Sequence, residues 1–397
     1  MLRAMYSGIG GMQNFQTKMD VIGNNIANVN TFGYKKGRAT FQDLVSQQMS
    51  GAGTPAENRG GTNPMQVGLG GSLATVDTIQ TQGSMQTTGR DLDMGITGDG
   101  FFIVNDGNQS FYTRAGNFYL DQQGNLVASN GMYVQGYPVD EEGNINAAAG
   151  TGNLQITAGA QVAPEATDNV TLRGNLKADD PVNTERTLAF NVVDDIGTQH
   201  PVAINFTKTA DNTWSYSVNG GGTQSLTFSG GSNDAPNGNI QIQSSGGGGP
   251  FNVEIDFSQI TQYASPSTVD VASMTGNIDG TLESYSISQT GEINGIFSNG
   301  EVRLLGQIAL AAFNNPGGLS KAGDSLFQAT NNSGNPQVGL AGIGGRGTMT
   351  GSALEMSNVD LAEEFAEMIV TQRGFQANTR MITTSDEILQ ELVNLKR

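Results

Sequence analysis

Apolar residues recur at steps of three and four through the first thirty positions: Leu2, Met5, Ile9, Met12, Phe15, Met19, Ile22, Ile26 and Val29. A mean step of about 3.4 residues predicts an amphipathic helix with a coiled-coil-like seam. Gly8, Gly10, Gly11 and Gly23 interrupt it, each costing up to about 1 kcal/mol relative to Ala in a helix interior. Such a helix is poor alone and needs a partner. It should stop near Asn30, ahead of Thr31-Phe32-Gly33-Tyr34, where Gly33 can take the left-handed conformation that ends helices. A second stripe runs Leu361, Phe365, Met368, Gln372, Phe375, Thr379, Ile382, and resumes after a slip through Ile388, Leu389, Leu392 and Leu395. Ser357 and Asp360 are spaced as a capping box. Acids crowd the start of this second helix and bases its end, the order that suits the helix macrodipole.

Between these ends the period changes from helical to alternating. Phe101-Phe102-Ile103-Val104, Tyr112, Phe118, Leu120 and Met132-Tyr133-Val134, punctuated by Asn105-Asp106-Gly107 and Gly124-Asn125, read as a hairpin series. Alternation is cleaner in Leu188/Phe190/Val192, Val202/Ile204/Phe206, Trp214/Tyr216/Val218 and Phe251/Val253/Ile255/Phe257. Strands at that spacing indicate a sandwich or barrel. Strand-like pieces return from Ile287 to Phe313 with the texture of the Phe101 region. The fold class is therefore mainly β with terminal α-helices, nested and elongated. Residues 1–30 and 357–397 form paired terminal helices, and 31–70 and 323–356 extended connectors. Residues 71–147 and 276–322 form an inner β domain, and 148–275 an inserted outer β domain.

Charge sharpens the pairing. Residues 1–40 carry Arg3, Lys18, Lys35, Lys36 and Arg38 against Asp20 alone, whereas 354–397 carry eight acids and four bases. Opposite signs on two weak helices favour their association. The whole chain of 397 residues has a formal charge of −18, which argues against a nucleic-acid surface. Cys is absent and His200 is the single histidine. That removes disulfides, thiolate metal sites and cysteine nucleophiles. No apolar run approaches the ~20 residues of a membrane span. Gly342-Ile343-Gly344-Gly345-Arg346-Gly347 matches a dinucleotide-binding spacing, but no strand-to-helix context surrounds it, so it reads as a chance match among 56 glycines. Asp179-Asp180 and Asp194-Asp195 read as solvated turns, and His200 as a surface residue. The chain is expected to be no enzyme and to hold no cofactor or metal.

Three blocks carry a family resemblance. Asn24-Asn25-Ile26-Ala27-Asn28-Val29-Asn30-Thr31-Phe32-Gly33-Tyr34-Lys35 resembles the N-terminal signature of bacterial flagellar axial proteins, the rod and hook subunits. Ser357–Phe365 with Gln372–Asn378 resembles their C-terminal signature. Gly98-Asp99-Gly100-Phe101-Phe102, Tyr112–Gly116 and Gly124-Asn125-Leu126 resemble their shared β domain. Within the family the insert at 148–275 points to a hook-type subunit. The alternatives are a distal rod subunit with an insert, or a secreted β-rich adhesin. The resemblance implies export through the flagellar type III apparatus, an extracellular place in the flagellum, and self-assembly into a curved tube linking rod to filament. It implies contacts with the distal rod, the hook cap and the hook–filament junction proteins, and none with nucleic acid or the membrane interior. The two helices would form an inner coiled-coil tube. Met5, Ile9, Met12, Met19, Ile22, Ile26, Leu361, Phe365, Met368, Phe375, Ile382, Leu389 and Leu392 are then the expected polymer interface. In an isolated subunit the helices would have nothing sufficient to bury against and would be mobile.

Overall fold

The computed structural model describes residues 2–55, 60–140, 143–145, 150–157, 159–233, 238–242 and 251–395. They divide into two compact units. The first comprises 1–156, 286–294 and 304–397; the second comprises 157–285 and 295–303.

Two helices frame the first unit: α1, Leu2–Ala27, and α2, Leu361–Asn394. They pack antiparallel, Gly8 against Ile382 and Asn25 against Glu364. The seam on α2 follows a heptad through Glu364, Met368, Thr371, Phe375, Asn378, Ile382 and Ser385, all buried or half-buried. Apolar and polar rungs alternate along it, which is why a search for apolar stripes alone mixes two faces of this helix. Against the expectation that the helices have nothing to bury against within a subunit, α1 packs one face on α2 and another on a β-hairpin. Gly374 breaks the stripe for a reason of space, since a Cβ there would lie 2.6 Å from the Phe15 ring. The cap of α2 is also corrected. Asp360, not Ser357, is the N-cap, and its Oδ1 accepts from the amides of Ala362 (2.8 Å) and Glu363 (3.4 Å).

The segment expected as a connector forms strands. β1 (Gly37–Asp43), β2 (Gln47–Ser50), β3 (Met65–Val67) and β4 (Gly71–Thr78) make an antiparallel arm, with β1 on β4 and β2 on β3. The expected boundary at residue 70 thus falls inside a hairpin. Asn14 of α1 ties this arm down by donating to the Gly71 carbonyl at 3.0 Å. The returning segment 323–356 is likewise used as strand. Ala353–Glu355 pairs with β5 (Met85–Thr87), and Thr348–Gly351 with β6 (Met94–Thr97). The Gly342–Gly347 loop therefore leads into a strand and opens no helix.

At the heart of this unit lies β7 (Phe101–Asn105), paired with β8 (Ser110–Thr113). Its residues are buried on both faces. Phe101 meets Phe313 and Phe327 edge-on at 5.9 and 5.7 Å, while Phe102 meets Phe118 at 5.0 Å on the other side.

Among its described residues the second unit contains a nine-stranded sheet whose core joins Leu172, Phe206, Trp214, Leu226 and Phe257. Residues from strands far apart in the sheet order meet in that one cluster, so the sheet curls over a single core. One turn recurs in both units. Asp121, Asp140 and Asp194 each accept, through Oδ1, the amide four residues on at 2.7 Å, with glycine in between. These carboxylates therefore cap hairpins. Asp194 also bonds His200, Oδ2 to Nε2 at 2.9 Å, and both are buried. The surface reading of His200 is thus corrected: it staples the turn of its own hairpin. Asp180 is likewise buried and pairs with Arg186 at 3.1 Å.

The hairpin tip at Asp324-Ser325 places two non-glycine residues at φ of 49° and 58°. A two-residue turn with both centres left-handed favours glycine at the second. Ser325→Gly should stabilise the first unit by about 1 kcal/mol, read as a higher thermal midpoint; an unchanged or lower midpoint would show that the turn is relaxed.

Candidate functional site

The residues of the N-terminal signature converge where α1, the β core and the start of α2 meet. Asn25 is buried in the last turns of α1. Its amide bonds both backbone groups of Gly37, accepting from the N–H and donating to the carbonyl, each at 2.9 Å. It thereby mimics a strand neighbour and starts β1. The same amide nitrogen donates to Glu364 at 3.2 Å, and the Tyr34 hydroxyl donates to Asn25 Oδ1 at 3.3 Å. Asn24 reaches the Tyr34 hydroxyl, and Asn28 accepts from Thr31 and closes the turn after the helix. Ala27 is exposed and Ile26 half-buried. Gly33 has φ 67°, and a Cβ on it would lie 2.4 Å from the Ala115 nitrogen. No other residue fits there.

Gly33 also donates to the Glu355 carbonyl at 2.8 Å. Glu355 is the centre of a buried ionic triad. Its Oε1 lies 2.6 Å from Lys35 Nζ and its Oε2 3.3 Å from Arg114 Nη1, with all three side chains nearly inaccessible. Gly83 N–H donates to Oε1 at 2.9 Å, Lys35 to the Thr81 carbonyl at 2.8 Å and Arg114 to the Gly98 carbonyl at 2.8 Å. Burial pulls the pKa of Lys35 and of Arg114 below their ordinary values, and the Glu355 charge opposes both shifts. Lys321 completes the layer. Its amine lies 4.8 Å above the Tyr34 ring and donates to the Lys35 carbonyl at 3.0 Å. Three distant stretches of chain are thus fixed to one carboxylate. Reading the sequence alone singled out Lys35 and Arg114 only as parts of the resemblance blocks and missed Glu355. The usable signal was an isolated acid among apolar strand residues, Ala353-Leu354-Glu355, beside an isolated base at Arg114.

The expected interface residues fall into two groups. Ile22 is buried within the subunit, and Met5, Met12, Met19, Ile26, Met368, Phe375, Ile382 and Leu389 are half-buried. Ile9, Leu361, Phe365 and Leu392 remain exposed. Ile369, Val370 and Ile388 on α2 extend the exposed set. The β1–β4 arm adds Phe41, Leu44, Val45, Met49, Met65 and Val67, which the sequence reading left without a role. Exposed apolar residues gathered on one element are what an interaction surface presents. Among the described residues no cluster of His, Cys, Asp or Glu is placed to hold a metal, and no helix is long and apolar enough to cross a membrane.

Comparison with known proteins gives this arrangement its context. Family descriptions match in chain order: "Flagella basal body rod protein" over 5–35 and "Flagellar hook protein FlgE/F/G D1 domain" over 95–178. "Flagellar basal body protein FlaE D2 domain" follows over 153–277, and "Flagellar basal body rod FlgEFG protein C-terminal" over 350–395. The chain is 42% identical to the flagellar hook protein FlgE of Borreliella burgdorferi, with all of both chains covered. The chain belongs to the flagellar hook and basal-body rod family. Within that family it is 39% identical to FlgE of Treponema pallidum and 35% identical to the basal-body rod protein FlgG of Bacillus subtilis, again over both full lengths. Its fold is similar to that of the Helicobacter pylori hook protein FlgE2, with a TM-score of 0.57 at 15% identity over 68% of this chain and all of that one.

Two outcomes test this junction. Glu355→Gln leaves Lys35 and Arg114 facing each other without a counter-charge, and should destabilise the first unit by about 3–5 kcal/mol in denaturant unfolding; a loss below about 1 kcal/mol would refute the triad's role. Glu364 behaves differently. Burial lifts its pKa, and Asn25 and Lys36 only partly offset this. A carboxyl raised in the folded state adds stability that is full in acid and lost as pH rises through the folded value. Glu364→Gln, which keeps an acceptor for Asn25, should therefore raise the thermal midpoint at pH 7 and leave it unchanged at pH 3. A midpoint lowered at pH 7 would contradict this.

Proposed function

We propose that this protein is the structural subunit of a bacterial flagellar hook. It polymerises with copies of itself into a curved, flexible tube that transmits torque from rod to filament as a universal joint. The full-length likeness to hook proteins carries this reading. The apolar residues left exposed on α2 and on the β1–β4 arm support it, because neighbouring copies would cover them. In this reading α1 and α2 line an inner coiled-coil tube, and the β domains lie outside. The unit around Trp214 holds twelve acids and four bases between residues 148 and 275, a composition suited to water. Its contacts would differ most between the two sides of a bend and so select curvature. The subunit passes unfolded through the flagellar type III export apparatus and acts outside the cell. It meets the distal rod, the hook cap and the hook–filament junction proteins, and it is no enzyme and needs no cofactor.

The likeness to Bacillus FlgG supports one second reading, a distal rod subunit. Assembly induced by a precipitating salt and imaged by electron microscopy separates them: curved tubes for a hook, straight ones for a rod. Phe365 is 50% exposed in the subunit whereas Ile22 is 2% exposed. Phe365→Asp should thus keep the circular dichroism and thermal midpoint of the monomer yet abolish assembly, since each subunit would bury an unpaired carboxylate at about a few kcal/mol. Ile22→Asp should instead lower the midpoint of the monomer itself. Normal tubes from Phe365→Asp would remove that face of α2 from the interface.

A further inference from the structure

The nine-stranded sheet of the second unit ends on one side with the strand Glu185–Val193. This strand pairs antiparallel with Gln199–Ala210 along its whole length, without a bulge. In an antiparallel pair the backbone groups of successive residues turn alternately toward the partner strand and away from it. Val193 shows which residues turn away. Its carbonyl accepts from the Thr167 N–H at 2.9 Å, and its own N–H donates to the Thr167 hydroxyl at 3.0 Å. Asp194, one residue on, donates instead to the Thr198 carbonyl across the hairpin at 3.1 Å. By alternation Thr187, Ala189 and Asn191 present their N–H and C=O groups outward. Among the described residues nothing bonds to these backbone groups, and all three residues are exposed.

An edge of this kind is a template for pairing, and folded proteins ordinarily blunt it with a lysine, a proline or a bulge. Thr187 to Asn191 carries none of the three. The inward side of the strand adds a second feature. Leu188 and Phe190 are half-buried against the core of the unit. Beside Leu188 a cavity of about 310 Å³ opens between this strand and Ser267 and Val269, with the buried Phe206 in its wall. A strand laid along the edge would bond to Thr187, Ala189 and Asn191 and carry a side chain over that cavity. Strand addition draws its affinity from the main chain and its specificity from such pockets.

Charge selects the occupant. Glu185 at the start of the edge and Asp195 just past its end are exposed, and among the described residues neither makes an ion pair. Arg186, the base on this strand, is already held by Asp180 at 3.1 Å. With twelve acids against four bases between residues 148 and 275, a second copy would bring like charge to the edge, whereas a basic segment brings the opposite sign.

We propose that the open edge of Glu185–Val193 is a docking site for an extended basic segment of another protein. The segment adds a strand, sets an apolar side chain at the cavity beside Leu188, and faces Glu185 and Asp195 with a base at each end. The site belongs to the second unit alone and is independent of whether the subunit builds a hook or a rod.

The probe is a synthetic peptide of alternating threonine and valine, long enough to reach from Glu185 to Asp195, with a lysine at each end. Hydrogen exchange of the full chain, kept monomeric, is followed with and without it. The outward amides of Thr187, Ala189 and Asn191 should slow severalfold, while the rest of the second unit is unchanged. The same peptide with glutamate ends should protect them far less, and one with a proline at its centre not at all. Ala189→Pro removes an outward N–H and no ladder bond, so it should keep the thermal midpoint and abolish the protection; Thr187→Pro serves in the same way if the first variant is unstable. The proposal is overturned if the lysine-ended peptide protects none of the three amides, or if the glutamate-ended or proline-centred peptide protects them equally. It is also overturned if they become protected with rising protein concentration and no peptide, which would assign the edge to a second copy.

Discussion

One buried carboxylate holds the ends of this chain together. Glu355 binds Lys35 from the segment after α1 and Arg114 from the β core, and its carbonyl takes the Gly33 amide. A charge of this kind is tolerated in the interior only when it is paired and hydrogen-bonded, and here two cations and the Gly83 amide supply three donors. The consequence is geometric. The exit of α1 and the entry of α2 are pinned within a few residues of each other, although 320 positions separate Lys35 from Glu355. The antiparallel helix pair starts from that point, and the β1–β4 arm is aligned beside it by Asn25 and Asn14.

Away from the pin the helices are held less firmly. Their seam alternates apolar rungs with Glu364, Thr371, Asn378 and Ser385, and glycines at positions 8, 11 and 374 lower helix propensity while letting the backbones approach. Such a pair is adequate within a subunit and far from saturated. Phe365, Ile369 and Val370 on α2 and Val45 and Met49 on the arm remain outside it. On the proposed reading, these are the residues that neighbouring copies would cover.

Much of this was legible in the sequence, and the omissions have physical causes. The change from 3.6 to 2.0 periodicity marked the helical ends and the β middle, since those periods follow directly from backbone geometry. The signature Asn24–Tyr34 marked the junction. The outer face of α2 could not be separated from its inner face, because polar residues occupy half of the inner rungs and an apolar stripe drifts across both. Residues 37–43 read as connector and their partner 71–78 as part of the inner β domain, because both strands are exposed and carry few large apolar residues facing a core. Glu355 was missed because its partners lie far away in sequence. His200 looked superficial because its burial depends on the turn capped by Asp194.

Native-state hydrogen exchange on the monomer tests most directly whether the carboxylate closes the chain. The Gly33 and Gly83 amides, which donate to Glu355, belong on this account to the same cooperative unit as the central strand Phe101–Asn105. They should exchange as slowly as that strand and respond to denaturant with the same slope. Exchange of Gly33 and Gly83 at the fast rate of the far end of α2, while Phe101–Asn105 stays protected, would show that the termini open independently and that Glu355 does not hold them.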